Sequence, residues 1–209
     1  ERFTPDLASD YMAHLGIIAA ICLENAVNRA RLVRSGLTDF LTGFHNRRYM
    51  HARLREELAR AQRDRATVAC LMIDVDNFKR INDVHGHLAG DSVLREVAQR
   101  IESQIRMSDT GARFGGDEFA IVLPGGRVRD AEALARRVLH TVSSRPVLVR
   151  PGITATITLS IGVAVAGPTG GTRDLTLLSE HLIFEADAAL YKSKAAGRNC
   201  VTVSDTVVA

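Results

Sequence analysis

Thr67-Val68-Ala69-Cys70-Leu71-Met72-Ile73 runs unbroken into Asp74-Val75-Asp76-Asn77-Phe78-Lys79-Arg80-Ile81-Asn82-Asp83. A short apolar run that ends in polar residues predicts a strand buried on both faces, and such a strand needs layers packed above and below it. C-terminal to it, the pattern predicts a short helix through Asp83 and a helix at about 90–104. Two strands, 111–114 and 119–123, then flank the tight turn Gly115-Gly116-Asp117-Glu118. A helix at 129–143, a long strand at 154–165 with Thr/Ile alternation, a helix at 175–195 and a last strand at 200–203 complete that side. On the N-terminal side, residues 45–65, rich in Arg, Glu, Leu and Ala, predict a helix. Residues 10–34 carry no Pro and one Gly, with Met12, Leu15, Ile18, Ala19, Cys22, Leu23, Ala26 and Val33 spaced as one helical face. Helices alternating with strands, one hairpin included, predict an α/β (α+β) sandwich. Its central sheet is expected to be mixed, largely antiparallel and flanked by helices, with a long N-terminal helix in front.

The 209 residues are 46% hydrophobic and 24% charged, enough apolar surface for one core, which excludes collagen-like and disordered chains. A net charge of only +3 gives no reason to expect DNA as a partner. Cys22, Cys70 and Cys200 are an odd number at wide spacing, which argues against a disulfide framework or a zinc ribbon and suits a reducing cytosol. The most apolar stretch, 15–23, is shorter than the roughly 20 residues that cross a bilayer, so no membrane segment is expected in this chain. The start Glu1-Arg2-Phe3-Thr4-Pro5 lacks a secretory profile and an initiator Met, so a longer protein is expected, with upstream membrane anchoring left open.

Two acidic clusters are expected at strand ends, the one beginning at Asp74 and the pair Asp117-Glu118 at the hairpin tip. Carboxylates at the ends of neighbouring strands can share a hard cation such as Mg²⁺, which takes oxygen ligands and keeps room for phosphate oxygens. Gly115 and Gly116 are expected to supply positive φ and to let a ligand approach the backbone. A calcium loop is excluded, because its fifth and sixth positions would be Phe78 and Lys79 instead of an oxygen ligand and Gly. His85 and His87 have no cysteine or third histidine nearby to complete a zinc site. From spacing alone, a metal site and a solvated, capped loop both remain open.

Arg113-Phe114-Gly115-Gly116-Asp117-Glu118-Phe119 resembles the signature of the GGDEF domains, the bacterial diguanylate cyclases. The opening Leu37-Thr38-Asp39-Phe40-Leu41-Thr42-Gly43-Phe44-His45-Asn46-Arg47-Arg48 is similar to the family's own, with Phe44 where Leu is commoner. The segment from Asp74 to Asp91 resembles the family's substrate-binding stretch, and Ala188 through Asn199 its closing helix. The resemblance implies a nucleotide-cyclase or polymerase-palm-like fold. It also implies condensation of two GTP into cyclic di-GMP and two pyrophosphates by a homodimer, in the bacterial cytoplasm, with two Mg²⁺ (or Mn²⁺) ions per active site. Metal ligands would be Asp74, the Val75 carbonyl and Asp117, and the catalytic residues Asp117, Glu118 and Lys79, with the division of labour between Asp117 and Glu118 left open. Asn82 and Asp91 fall on the guanine edge, Lys79, Lys194 and Arg198 on the triphosphate, and Phe78, Gly115 and Gly116 also in the substrate site.

Arg106-Met107-Ser108-Asp109, five residues before Gly115-Gly116, is similar to the family's inhibitory site, where the product cyclic di-GMP would bind, with Arg137 as a secondary contact. Residues 3–32 resemble the last helix of a GAF-type sensor domain. The expected organisation is therefore a signalling or linker helix at 1–36 and a GGDEF domain at 37–209. The alternative is a catalytically silent module that binds GTP or cyclic di-GMP as a receptor. Retention of Asp74, Asp117 and Glu118 favours the enzyme.

Overall fold

A computed structural model describes residues 15–16, 18–24, 36–168 and 174–208. The chain divides into two compact units, Glu1–Thr38 and Asp39–Ala209. In the first, residues 15, 16 and 18–24 are helical; the rest of the helix expected at 10–34, and most of the sensor-like stretch, lie outside the described residues. None of the described helices is long and apolar enough to cross a membrane.

The second unit runs β1 (His45–Asn46), α1 (Arg47–Asp64), β2 (Val68–Val75), α2 (Phe78–His85), α3 (His87–Glu102), β3 (Thr110–Gly115), β4 (Glu118–Pro124) and α4 (Val128–Ser143). It continues through β5 (Val147–Arg150), β6 (Ile153–Ala155), β7 (Leu159–Ala166), α5 (Leu175–Ala195) and β8 (Val201–Val208). Six strands form one sheet in the order β1-β3-β4-β2-β7-β8. The β3–β4, β4–β2 and β2–β7 pairs are antiparallel, and β1–β3 and β7–β8 are parallel. The expected mixed, largely antiparallel sheet flanked by helices is therefore present.

Every residue of β2 is buried. Leu71, Ile73 and Val75 join the core formed with α3 and α4, whereas Cys70 and Met72 join the core under α1 and α5. Strand alternation thus assigns Asp74 to the α1/α5 face. Burial pushes the Cys70 thiol up to about 12, which leaves it protonated and inert.

The strand expected at 154–165 is two strands. Pairing of β7 with β2 ends at Leu159 opposite Val75, because the chain then turns into α2. Residues before Leu159 lose that partner, and β6 pairs with β5 in a separate two-stranded sheet. The last strand extends to Val208, beyond the expected 203, because β7 offers it a parallel edge as far as Ala166.

At Gly162 the axis of α5 comes down onto β7. A Cβ there would stand 2.1 Å from the Ala186 carbonyl oxygen and 2.2 Å from the Leu190 nitrogen, both backbone atoms that cannot swing aside. Gly162→Ala is expected to cost about 2–3 kcal/mol, which for a domain of this size lowers Tm by roughly 5–10 °C. An unchanged melting curve would show that α5 does not sit this close.

Candidate active site

The antiparallel register sets Asp74 directly opposite Glu118 on one side and Ser160 on the other. The Val75 N–H donates to the Asp117 carbonyl at 3.2 Å, so the hairpin tip is tied to the end of β2. Asp74, 8% exposed, accepts a hydrogen bond from Lys194 Nζ at 2.7 Å, which reaches it from the last turn of α5. Burial pushes the Asp74 carboxyl above the ordinary aspartate range. Lys194 opposes that push, and the Asp117 and Glu118 carboxylates reinforce it. Three carboxylates that repel one another at one sheet end form a site short of positive charge.

The hairpin is held by Arg113. Its guanidinium donates to both carboxylate oxygens of Asp39 at 3.1 Å and to the Gly116 carbonyl at 3.0 and 2.7 Å. Asp39 also accepts from Thr42 Oγ1 at 2.7 Å and Thr42 N at 2.9 Å. Burial alone would raise the Asp39 carboxyl; the Thr42 bonds and the Arg113 cation outweigh it and hold the group below its ordinary value. The opening segment and the hairpin are thereby one rigid piece. Neither Gly115 nor Gly116 adopts the expected positive φ. A register shift between Arg113 and Gly115 bends the strand instead, and it removes the need for a left-handed turn residue. Glycine still matters at 115, where a Cβ would stand 3.0 Å from Glu118 Oε2.

Helices α2 and α3 pack against each other just beyond this end of the sheet. A Cβ on Gly90 would lie 2.0 Å from Asn82 Oδ1 and 3.0 Å from Phe78 Cζ, so Phe78, Asn82 and Gly90 form one close-packed set. Phe78 also packs against the core. Asn82 Oδ1 is buried with no hydrogen-bond partner among the described residues, an acceptor in need of a donor. Asp91 follows Gly90 on α3 and is half-buried. Lys79 is exposed on the first turn of α2. Arg198, in the turn after α5, is exposed and left-handed, with φ 66°.

A second cavity, of about 300 Å³, is lined by Arg106, Asp109 and Arg137, together with Arg127 and Asp130. Asp109 accepts from the Arg106 N–H at 2.9 Å, which fixes the turn and leaves the Arg106 guanidinium out of that bond. Arg137 Nη2 donates to the Gln104 carbonyl at 3.3 Å. Arg127 was not among the residues expected here; it shares no motif with Arg106 and comes close because β4 returns antiparallel along β3 and ends beside the turn that precedes Thr110. Strand β3 runs from just beyond Asp109 to the active-site hairpin.

Among the described residues, no group of three or more His, Cys, Asp or Glu side chains is placed to hold an ion unaided. The Asp74 and Asp117 carboxylates with the Val75 carbonyl make a smaller oxygen set. Such a set suits a hard cation that keeps water and phosphate oxygens as its other ligands. The Asp117 and Glu118 carboxylates beside Asp74 agree with that fit, because a cation would relieve their repulsion.

The family described as "Diguanylate cyclase, GGDEF domain" matches residues 36–200. Response regulator PleD of Caulobacter vibrioides is 42% identical over 166 residues, covering 79% of this chain and 35% of that protein. Diguanylate cyclase A of Treponema denticola is 37% identical over 207 residues, covering 97% of this chain and 52% of that protein. The chain thus spans about a third to a half of the length of these relatives. The solved coiled coil and GGDEF domain of DgcB from Caulobacter crescentus, in complex with c-di-GMP, superposes with a TM-score of 0.84 at 31% identity, covering 92% of this chain and 98% of that one.

The raised carboxyl of Asp74 has a testable sign. The folded state binds that proton more tightly than the unfolded chain does, so stability falls as pH rises from the unfolded value to the raised folded one and stays lower above it. At neutral pH, Asp74→Asn is expected to melt at or above the wild-type Tm, with the advantage vanishing in acid. Added Mn²⁺ should raise the wild-type Tm and leave the variant unmoved. A variant that melts well below wild type at neutral pH would contradict this electrostatic account.

Proposed function

Since the chain belongs to the diguanylate cyclase GGDEF domain family, we propose that it condenses two GTP molecules into one cyclic di-GMP and two pyrophosphates. The observation that carries the reading is the register that sets Asp74 opposite Glu118, with the Asp117 carbonyl tied to the Val75 N–H, at the end of β2 that leads into α2. Each ribose 3′-oxygen attacks the α-phosphorus of the other GTP. Two phosphodiester bonds form, two bonds from α-phosphorus to pyrophosphate oxygen break, and two hydroxyl protons leave. Such a reaction demands positioning and charge neutralisation above all.

Asp74, Asp117 and the Val75 carbonyl would hold two Mg²⁺ (or Mn²⁺) ions, which when bound polarise the phosphate oxygens and lower the pKa of the attacking hydroxyl. Glu118, beside them, helps take up the hydroxyl proton. Phe78, Asn82 and Asp91 receive the base: the Asp91 carboxylate accepts from the guanine N1–H and N2–H donors, a pair that adenine lacks. The Gly115 and Gly116 backbone lies along the phosphates, and Lys79, Lys194 and Arg198 supply cations to them. With a cation held at Asp74, Lys194 would no longer be needed to balance that carboxylate and its ammonium could meet a phosphate.

The second GTP comes from a second copy, so the working unit is a homodimer. Residues 1–36 act as the segment that sets how two domains, each 37–209, face each other; the coiled coil of DgcB, a solved relative, supports this arrangement. GTP as substrate implies the bacterial cytoplasm. The Arg106/Asp109/Arg137 cavity takes product and restrains the enzyme, a reading supported by the c-di-GMP bound to DgcB.

Incubation with GTP and Mg²⁺, with nucleotides separated by chromatography and identified by mass, should give cyclic di-GMP at a rate rising more than linearly with protein. Asp117→Ala should reduce turnover by about 100-fold or more; near-normal turnover would remove Asp117 from the metal site. GTP bound but never converted, even when dimerisation is enforced, would make the chain a receptor instead.

A further variant probes the second cavity. Arg106→Ala should make turnover resist added cyclic di-GMP. Inhibition identical to wild type would place the inhibitory site elsewhere.

A further inference from the structure

Asp76 lies two residues beyond Asp74 and is buried more deeply, 5% exposed. Its carboxylate is satisfied by three neutral donors. Oδ1 accepts from Ser160 Oγ at 2.6 Å; Oδ2 accepts from Thr158 Oγ1 at 2.7 Å and from the Asn199 backbone N–H at 3.0 Å. The Asp76 N–H in turn donates to the Thr158 carbonyl at 3.0 Å. One side chain therefore joins the segment after β2, the start of β7 and the turn after α5.

That turn needs holding. Arg198 and Asn199 are consecutive non-glycine residues in left-handed backbone, with φ 66° and 47°. L-residues occupy this region singly and at a cost, and a pair persists only where its surroundings impose it. From within, the Arg198 N–H donates to the Ser193 carbonyl at 3.1 Å. From outside, Asp76 grips the Asn199 N–H.

We propose that Asp76 is a positioning residue: by holding the Asn199 amide it fixes the turn that carries Arg198, and with it the end of α5 that carries Lys194, against the Asp74 end of the sheet. Asp76 acts through hydrogen-bond geometry and not through charge on an ion or on substrate. The inference rests on the reading that Lys194 and Arg198 serve GTP phosphates. Asparagine preserves the arrangement, since its carbonyl can occupy the Oδ2 place and accept from Asn199 and Thr158, while its NH₂ donates to the Ser160 hydroxyl, which rotates to accept. Alanine preserves none of it.

The test uses the full chain and the variants Asp76→Ala and Asp76→Asn, with Asp76→Ser, which is too short to reach Asn199, carried alongside in case Asp76→Ala does not fold. Two quantities are measured: binding of an unreactive GTP analogue with a methylene in place of the α,β-bridging oxygen, compared with GMP, and amide hydrogen exchange across residues 196–200. Asp76→Ala is expected to weaken the triphosphate roughly tenfold, with GMP affected by no more than about twofold, and to speed exchange at Asn199. Asp76→Asn should match wild type in both. Equal losses of GMP and analogue, or unchanged exchange, would overturn the positioning role. An Asp76→Asn variant as damaged as the alanine one, with exchange still slow, would show that the charge matters and overturn it likewise. If the wild-type chain fails to bind the analogue at all, the GTP reading fails, and exchange alone then decides whether Asp76 holds the turn.

Discussion

Two carboxylates enter the protein at the end of a strand that is buried on both faces, and a buried charge must be given partners or be neutralised. The two are satisfied differently. Asp76 receives three hydrogen bonds from neutral donors and is closed off by them. Asp74 receives one, from an ammonium, and faces two further carboxylates. The first arrangement is complete in the protein; the second calls for more positive charge. An Asp-x-Asp pair thus divides into a half that is closed off by neutral donors and a half left beside other carboxylates. The sheet end, the close of α5 and the hairpin tip all meet around that division.

The second fixed point is Arg113, which ties the opening segment at Asp39 to the Gly116 carbonyl of the hairpin. Two motifs separated by 74 residues become one unit. Because β3 runs from just beyond the Arg106–Asp109 turn to that same hairpin, whatever binds in the second cavity lies at one end of a strand whose other end carries the Asp117-Glu118 hairpin. The strand is a direct physical connection between them.

Much of this was legible along the chain. The unbroken apolar run from Val68 to Ile73, the Gly115-Gly116 turn and the helical spacing at 175–195 announce their elements because local pattern dictates them. The carboxylates at 74, 117 and 118 stand out because they sit where strands stop. Other features were hidden for reasons of distance and geometry. The partners of Asp76 lie 82, 84 and 123 residues away, and nothing local marks Thr158, Ser160 or the Asn199 amide as its donors. Strands β5 and β6 are four and three residues long, too short to show a period. Gly115 and Gly116 suggested left-handed backbone on residue type alone, but a bulge carried the bend. The Lys194–Asp74 contact arises only when α5 is laid across β7, a packing set by the bare backbone at Gly162.

The proposed role of Asp74 is to exchange an internal ammonium for a bound cation. A crystal structure of the chain with Mn²⁺ and the methylene analogue of GTP, with the ion located by its anomalous scattering, tests this directly. The expected result is Mn²⁺ ligated by Asp74 and Asp117, with Lys194 Nζ withdrawn from Asp74 and turned to a phosphate oxygen, and Asp76 still holding Asn199. An ion bound elsewhere, with the Lys194–Asp74 pair intact beneath the nucleotide, would contradict it.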